Sequence, residues 1–325
     1  MDISIPYYED LSRISNSNIG WFLQKGPAYL HKMLTDPPPE EKNYVLERGS
    51  MIHMYLLQPE EFQKTYVVWD KSRPSSAQQE KFCQELANTL EIEPNRAILS
   101  AYQAAYSTKG KSEETMLSEG LKIASTLKDY IDFLKSGDQR IMISPYDATM
   151  LNKIKDNIKS HKLANKIIWP KTEYTMHEFH INWEWYGEMP VACKSLLDGV
   201  TFNNDYKIVT IYDLKTTQKL WHFEDSIDMY DYCRQLCYYK QAVLWYLKYE
   251  LKEDPEEWTF VYYIIGIDTT GSYDIRVFKF EEYMIQSRYS VINNALTEIA
   301  WHQASDKWEH SRAYYEGDGS ESLNL

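Results

Sequence analysis

An acid and a lysine stand two residues apart in Ile211-Tyr212-Asp213-Leu214-Lys215-Thr216-Thr217. The surrounding apolar residues predict a β-strand, on which residues i and i+2 point to the same face. A carboxylate beside an ammonium suits phosphodiester hydrolysis, because the carboxylate can hold a hard divalent cation and the ammonium can orient water or stabilise phosphoryl charge. An Asp-x-Lys pair on a strand is also a common solvated ion pair, so both interpretations stay open here.

A second carboxylate lies one predicted strand upstream, in Lys194-Ser195-Leu196-Leu197-Asp198-Gly199-Val200. Asn203-Asn204-Asp205 predicts the hairpin turn between the two strands, so antiparallel pairing can bring Asp198 and Asp213 together. Two carboxylates that close repel each other unless a cation lies between them. The pair therefore indicates a metal site, and the alternative is that Asp198 only caps a turn.

The strand that leads into this hairpin carries further acids. Glu173 stands at its start and is a candidate third ligand. Glu178, Glu184 and Glu188 follow nearby and compete with Glu173 for this role. The sequence favours Glu173 without excluding the other three.

Two helical segments contribute polar residues. His53 shares one helical face with Gly49 and Leu56, where the glycine permits close packing and the histidine could reach a metal ion. A single helical histidine is also common in an ordinary core. Gln235 and Tyr239 stand at i and i+4 of a long predicted helix. Tyr232, Tyr239, Ala242 and Tyr246 form a stripe along that helix. Core packing explains this stripe but explains Gln235 less well.

The order of the predicted elements indicates an α/β fold, with a central mixed β-sheet flanked by helices. Strands are predicted at 173–185, 191–202, 207–214, 258–267 and 273–280, and helices at 224–251 and 281–308. We expect one structural unit overall. It comprises a mainly helical N-terminal part at 1–165 that carries His53, a core of sheet and helices at 166–310, and a disordered tail at 311–325. Residues 71–165 contain no recognisable set of catalytic or metal-binding residues.

Composition limits the classes of function. The 325 residues carry a net charge of −13, which argues against a protein that coats nucleic acid through bulk charge. It does not exclude an enzyme whose acids surround metal ions. No apolar run approaches the ~20 residues of a membrane span, and the N-terminus lacks the pattern of a signal peptide, so a cytoplasmic protein is expected. The 4 cysteines show no CxxC pair and no iron–sulfur spacing.

Five ordered motifs resemble those of the RecE-like phage exonucleases (exodeoxyribonuclease VIII type) of the PD-(D/E)xK nuclease superfamily. Lambda exonuclease and the RecB nuclease domain are more distantly similar. The motifs are Ile14-Ser15-Asn16-Ser17 with Gly26-Pro27-Ala28-Tyr29, Gly49-Ser50-Met51-Ile52-His53 with Leu56-Leu57-Gln58-Pro59-Glu60-Glu61-Phe62, Lys194 to Asp198, Asp213-Leu214-Lys215-Thr216-Thr217, and Gln235 to Tyr239. Each motif is weak, but the ordered set is fairly specific. The resemblance implies a restriction-endonuclease-like core.

The resemblance also implies a metal centre. One or two Mg²⁺ ions, for which Mn²⁺ would substitute, would be surrounded by His53, Glu173, Asp198, Asp213 and the carbonyl group of Leu214. Lys215 would position the attacking water. No iron–sulfur cluster is expected.

Supporting and DNA-contacting roles are implied for Gln235, Tyr239 and Thr216. The family often has an arginine two residues before the first aspartate, where this chain has Leu196. The residue directly before that aspartate is Leu197 rather than proline. The missing arginine removes a phosphate contact, for which Lys194 could substitute.

The resemblance further implies a Mg²⁺-dependent exonuclease that degrades linear double-stranded DNA 5′→3′. The 3′ single-stranded tails would serve a single-strand annealing protein in phage-type recombination. A homo-oligomeric ring would reconcile an acidic exterior with a DNA channel. The alternatives are an endonuclease of the same superfamily, a nuclease with an iron–sulfur cluster, and a non-catalytic DNA-binding or scaffold protein. The presence of Asp198, Asp213 and Lys215 together favours an enzyme over the last of these.

Overall fold

The computed structural model describes residues 5–39, 43–91, 93–171 and 175–321. Internal contacts divide the chain into two units, a larger one of Met1–Pro59 with Met150–Leu325 and a smaller one of Glu60–Thr149. This division differs from the predicted boundary at residue 165. The reason is a long-range contact: the amide of Ile14 donates a hydrogen bond of 2.9 Å to the carbonyl of Ala192, which ties the N-terminal segment to the sheet.

The strands are β1 (Tyr66–Val68), β2 (Ile141–Ile143), β3 (Thr175–Trp185), β4 (Val191–Asn203), β5 (Ile208–Thr217), β6 (Thr259–Asp268) and β7 (Ile275–Phe280). Strands β3 to β7 form one sheet in the order β3-β4-β5-β6-β7. Neighbours in this sheet are antiparallel, except that β5 and β6 are parallel. The short strands β1 and β2 pair in parallel within the smaller unit.

The helices of the larger unit surround this sheet. They are α1 (Asn16–Lys25), α2 (Pro27–Thr35), α3 (Tyr44–Leu57), α10 (Lys162–Ile168), α11 (Phe223–Met229), α12 (Tyr232–Tyr249), α13 (Glu282–Gln286), α14 (Tyr289–Ser305) and α15 (Arg312–Glu316). The smaller unit contains α4 (Pro59–Thr65), α5 (Ala77–Asn88), α6 (Pro94–Ala105), α7 (Glu113–Thr126) and α8 (Lys128–Lys135), and α9 (Pro145–Ser160) runs across the boundary.

The mixed sheet follows from the connections between its strands. Short turns join β3 to β4 and β4 to β5, whereas the parallel pair β5 and β6 needs a longer crossover, which α11 and α12 supply. Helix α12 packs against β3, β4 and β5 and buries Leu236, Val243 and Leu247 in the main core. The predicted α/β class, with a central mixed sheet flanked by helices, is therefore confirmed.

Two predicted helices are interrupted. The predicted helix at 224–251 is divided between α11 and α12, because Asp231 adopts a left-handed φ of 48° and its carboxylate caps the amide of Arg234 at 3.2 Å. The predicted helix at 281–308 is likewise divided between α13 and α14. At Asp231 a local polar cap thus stops a helix that the apolar period alone would continue.

The C-terminal segment is more ordered than the tail predicted at 311–325. Ser311 caps helix α15 by accepting the amide of Tyr314 at 3.3 Å. Arg312 lies 3.8 Å from Glu298 of α14 and 2.9 Å from Glu316. These contacts give α15 a place on the larger unit, and residues 322–325 lie outside the described part.

The smaller unit has a core of its own. Helices α5, α6, α7 and α8 bury Phe82, Tyr102 and Ile131 among other apolar side chains. Across the described ranges of both units, no helix is long and apolar enough to cross a membrane.

Candidate metal centre

The two predicted aspartates lie where β4 and β5 separate. The β4–β5 pairing ends at Gly199 opposite Tyr212, so Asp198 and Asp213 are the next residues on the two strands. The backbone amide of Leu214 donates a hydrogen bond of 2.6 Å to Oδ2 of Asp198. Asp213 is 1% exposed and Asp198 is 9% exposed. Two buried carboxylates therefore lie together at the end of the hairpin, as the sequence predicts.

Lys215 faces Asp213 from the same side of β5. Its Nζ lies 2.5 Å from Oδ2 of Asp213. Burial opposes the charge of Lys215, but attraction to Asp213 and Asp198 outweighs this effect and raises the pKa of the ammonium. Burial and the neighbouring Asp198 raise the pKa of Asp213 to about 7, against the opposing effect of Lys215 and of Gln235.

Oδ2 of Asp213 has the ammonium of Lys215 as its partner at 2.5 Å, although no donor among the described residues is aligned with it for a hydrogen bond. A buried carboxylate oxygen in this position can also serve as a ligand of a hard cation.

Helix α12 fixes the other oxygen of Asp213. Nε2 of Gln235 donates to Oδ1 of Asp213 at 2.9 Å and to the hydroxyl of Tyr239 at 2.8 Å. Burial raises the pKa of Tyr239 well above its ordinary value, so the hydroxyl stays protonated. Gln235 and Tyr239 thus orient the carboxylate, in line with the supporting role that the resemblance implies, and the i, i+4 spacing places them on the same side of the helix.

Helix α3 brings His53 to the same place. Its Nδ1 lies 3.6 Å from Oδ2 of Asp198, and the backbone of Leu214 lies beside its ring. Burial lowers the pKa of His53, which favours the neutral imidazole that a metal requires. The helix approaches β5 closely at Gly49, where a Cβ would lie only 3.2 Å from Oγ1 of Thr216. Thr216 therefore lies under α3, at the edge of the site.

Glu178 is the acid that completes the cluster. Ligand atoms of His53, Glu178 and Asp198 all lie within 4.8 Å of one another. Glu178 lies between the β3–β4 pairs His177–Gly199 and Phe179–Leu197, which places it opposite Asp198. Burial, Asp198 and Asp213 raise its pKa to about 8. The raised pKa values of Glu178 and Asp213 in one cluster are typical of a site that binds a cation.

From the sequence, Glu178 is predicted only as a competitor of Glu173 for the role of third metal ligand. Counting back from the turn at Tyr186-Gly187 would have placed Glu178 opposite Asp198, and this register is the signal that could have found it. Glu173 itself lies outside the described residues.

Lys194 does not occupy the phosphate-contacting position predicted for it. Its ammonium donates to the carbonyls of Tyr7 and Asp10, each at 2.5 Å, and the residue is buried. Burial lowers its pKa, with Asp10 opposing the effect. The N-terminal segment covers this part of β4, since Ile14 bridges to Cys193, so the ammonium holds backbone carbonyls together.

Comparison with known proteins relates the fold of the chain to a solved structure. No family model and no curated protein matches the sequence. The crystal structure of a protein from Eubacterium rectale, named "Putative exonuclease", matches with a TM-score of 0.50 and 13% sequence identity. The match covers 100% of this chain and 96% of that one. The chain shares the overall fold of that protein.

The cluster fits a divalent cation within that fold. Carboxylate oxygens suit Mg²⁺ and Mn²⁺, and a neutral imidazole suits Mn²⁺ among the harder ions. His53, Glu178 and Asp198 are the side chains that could hold the ion, and Asp213 adds a buried carboxylate that it shares with Lys215. A cation held there would lie next to an ammonium group, an arrangement that can stabilise negative charge on a phosphoryl group.

Proposed function

We propose that this protein is a metal-dependent DNA exonuclease that degrades linear double-stranded DNA 5′→3′. The observation that supports it most is the meeting of His53, Glu178, Asp198, Asp213 and Lys215 in one buried cluster. The nuclease-like fold agrees with this reading. The polarity, and the 3′ tails for an annealing protein, come from the resemblance to RecE-like exonucleases.

Each side chain has a stated task. His53, Glu178, Asp198 and Asp213 would hold Mg²⁺, for which Mn²⁺ would substitute. When bound there, such a cation would supply a Lewis acid for the phosphate and would lower the pKa of a bound water. Lys215, kept protonated by the aspartates, orients the attacking water and balances charge on the phosphoryl oxygens. Gln235 holds Asp213 in the required orientation.

Degradation of linear duplex DNA labelled separately at the 5′ and 3′ ends tests the proposal. We expect Mg²⁺-dependent release of mononucleotides from 5′ ends, abolished by EDTA. Asp213→Asn should lower the rate by about 10³-fold because it removes the charge of a metal ligand, and Lys215→Ala should lower it by a similar factor because it removes a cation aimed at the reacting phosphate. Lys279→Ala is the matched control, because this exposed lysine of β7 pairs only at 3.4 Å with Glu281.

Linear and circular DNA substrates distinguish an exonuclease from an endonuclease and from a protein that only binds DNA. Intact linear ends together with cleaved circles would replace the exonuclease by an endonuclease of the same fold. Intact DNA of both forms, with a folded wild-type protein, would reject catalysis in favour of a DNA-binding role. Release from 3′ ends would reject only the polarity.

We also propose a homo-oligomeric ring, because a net charge of −13 leaves little attraction for DNA unless basic groups are gathered in a channel. Light scattering coupled to gel filtration measures the assembly directly. A monomer at micromolar concentration would reject the ring without affecting the proposed chemistry.

A further inference from the structure

A solvent-exposed tryptophan follows the strand that carries Asp213 and Lys215. Trp221 follows the end of β5 and is 75% exposed, which is unusual for so large an apolar side chain. It lines a cleft of about 390 Å³ together with His161, Asp274 and Arg276, among others. The cleft combines an aromatic face, a permanent cation and polar side chains.

Arg276 is held in place within this cleft. Its guanidinium carbon lies 5.4 Å from the ring centroid of Trp221 and 5.1 Å from that of Phe278. Nη1 donates to the carbonyl of Leu220 at 3.2 Å, and Nη2 lies 3.7 Å from a carboxylate oxygen of Glu224. The arginine therefore has a fixed position beside the indole, and a third of its side chain still faces solvent.

A row of aromatic side chains connects the cleft to the metal centre. Nζ of Lys215 lies 5.2 Å from the ring centroid of Tyr232, which stacks on Phe223 at 5.9 Å. Phe223 stacks on Phe278 at 4.9 Å, and Phe278 contacts Arg276. An unbroken row of packed side chains thus runs from the catalytic lysine to the cleft.

The strand register gives the same placement independently. Lys215 of β5 pairs with Gly266 of β6. Leu220 packs over Gly266, where an added Cβ would lie 2.8 Å from its Cδ1. Trp221 is the next residue, so the cleft lies beside the outgoing end of β5, within a few side chains of the metal cluster.

We propose that this cleft binds one nucleotide of a DNA strand that enters or leaves the metal centre. The base stacks on the indole of Trp221, and the adjoining phosphate pairs with Arg276. Stacking on an aromatic ring tolerates every base, which suits an enzyme that degrades DNA of any sequence. This inference rests on the proposed nuclease function and assigns its strand contact to a specific place.

The charges around the cleft limit how tightly the strand is held. Asp274 lines the cleft and Glu224 lies near Arg276, so a phosphate meets one cation between two acids. Stacking therefore carries most of the affinity, and the weak phosphate contact lets the strand advance. Asp274→Asn should tighten binding, because it removes a repulsion and leaves the shape unchanged.

Fluorescence anisotropy with a short single-stranded oligodeoxynucleotide tests the inference in the full-length protein, with Ca²⁺ in place of Mg²⁺. Trp221→Ala should raise Kd about tenfold, and Trp221→Phe should recover part of this loss. Arg276→Ala should weaken binding and reduce its dependence on salt. Tyr206→Ala is the matched control, since Tyr206 is also 75% exposed but precedes the opposite end of β5.

A second readout locates the contact. An oligonucleotide carrying 5-iododeoxyuridine should form a photochemical cross-link to Trp221, identified by mass spectrometry. A Kd of Trp221→Ala equal to that of wild type, with an unchanged melting temperature and no cross-link at Trp221, would overturn the inference. If wild type cleaves DNA in that case, only the cleft is rejected; if binding depends on Trp221 but no DNA is cleaved, only the nuclease function is rejected.

Discussion

Glu178 combines an unusual backbone with an unusual environment. Its φ of 47° lies in the left-handed region, although the residue stands within β3 and is not a glycine. Such a conformation costs about 1–3 kcal/mol and persists where the surrounding structure imposes it, often at a functional site. Here it directs a carboxylate toward His53 and Asp198.

Glu178→Gln should weaken metal binding by about tenfold or more and lower nuclease activity in parallel. The change removes a negative charge from the cluster, while the amide keeps the shape. Isothermal titration with Mn²⁺ measures the affinity. Glu184→Gln, on the same strand but paired with Arg13 at 3.1 Å, serves as the control and should bind Mn²⁺ as wild type does. Equal affinity of Glu178→Gln and wild type would remove Glu178 from the ligand set.

At the scale of elements, the packing of β4 on β5 depends on one glycine. A Cβ at Gly199 would lie 2.1 Å from the ring of Tyr212, the residue paired with it across the strands. The hydroxyl of Tyr212 is hydrogen-bonded to Nδ1 of His177 on β3 at 2.7 Å, which holds the ring over the glycine. The neighbours of this pair are Asp198 and Asp213, so its packing sets the distance between the two acids.

Gly199→Ala should destabilise the protein by about 1–3 kcal/mol, because the methyl group overpacks the strand pair. The nuclease activity should fall by more than the loss of folded protein explains, because Asp198 is displaced together with Gly199. Urea unfolding measures the free energy of unfolding. In a Tyr212→Ala background the alanine at 199 should cost little, and a full, additive cost in that background would contradict the packing explanation.

At the scale of the whole molecule, the buried acids couple stability to pH and to metal. The pKa of Asp213 rises from 3.8 to about 7 and that of Glu178 from 4.5 to about 8. Both are raised, so the folded state binds more protons than the unfolded state up to about pH 8. Their contribution to stability is complete below the ordinary values and is lost as the pH rises through the folded ones.

The melting temperature in EDTA should therefore fall as the pH rises to about 8, most clearly above about pH 7.5. Near pH 6.5 His53 and His177 oppose this fall, because burial lowers their pKa in the folded state while the unfolded chain takes up protons at its ordinary pKa of 6.5. Mg²⁺ should oppose the fall, because the cation replaces the protons that the acids lose. Thermal unfolding of wild type and of a Glu178→Gln, Asp213→Asn double variant checks this. A pH slope that persists in the double variant would assign the effect to other groups.

Local patterns in the sequence predict the strands of the main sheet and the pairing that brings Asp198 and Asp213 together. Period-two patterning placed Asp213 and Lys215 on one strand face, and the hairpin turn at 203–205 placed Asp198 beside them. The i, i+4 spacing put Gln235 and Tyr239 on one side of α12, where they hold Asp213. These features depend on residues close in sequence, so local rules are enough to find them.

Long-range packing selects which groups that are distant in sequence meet in space. It selected Glu178 as the partner of Asp198, buried Lys194 under the N-terminal segment, and placed Trp221 beside Arg276. It also divided residues 60–149 into a unit of their own. Strand register, burial and long-range packing are set by the free energy of the whole fold, in which contacts far apart in sequence compete, and no local pattern records which of them prevails.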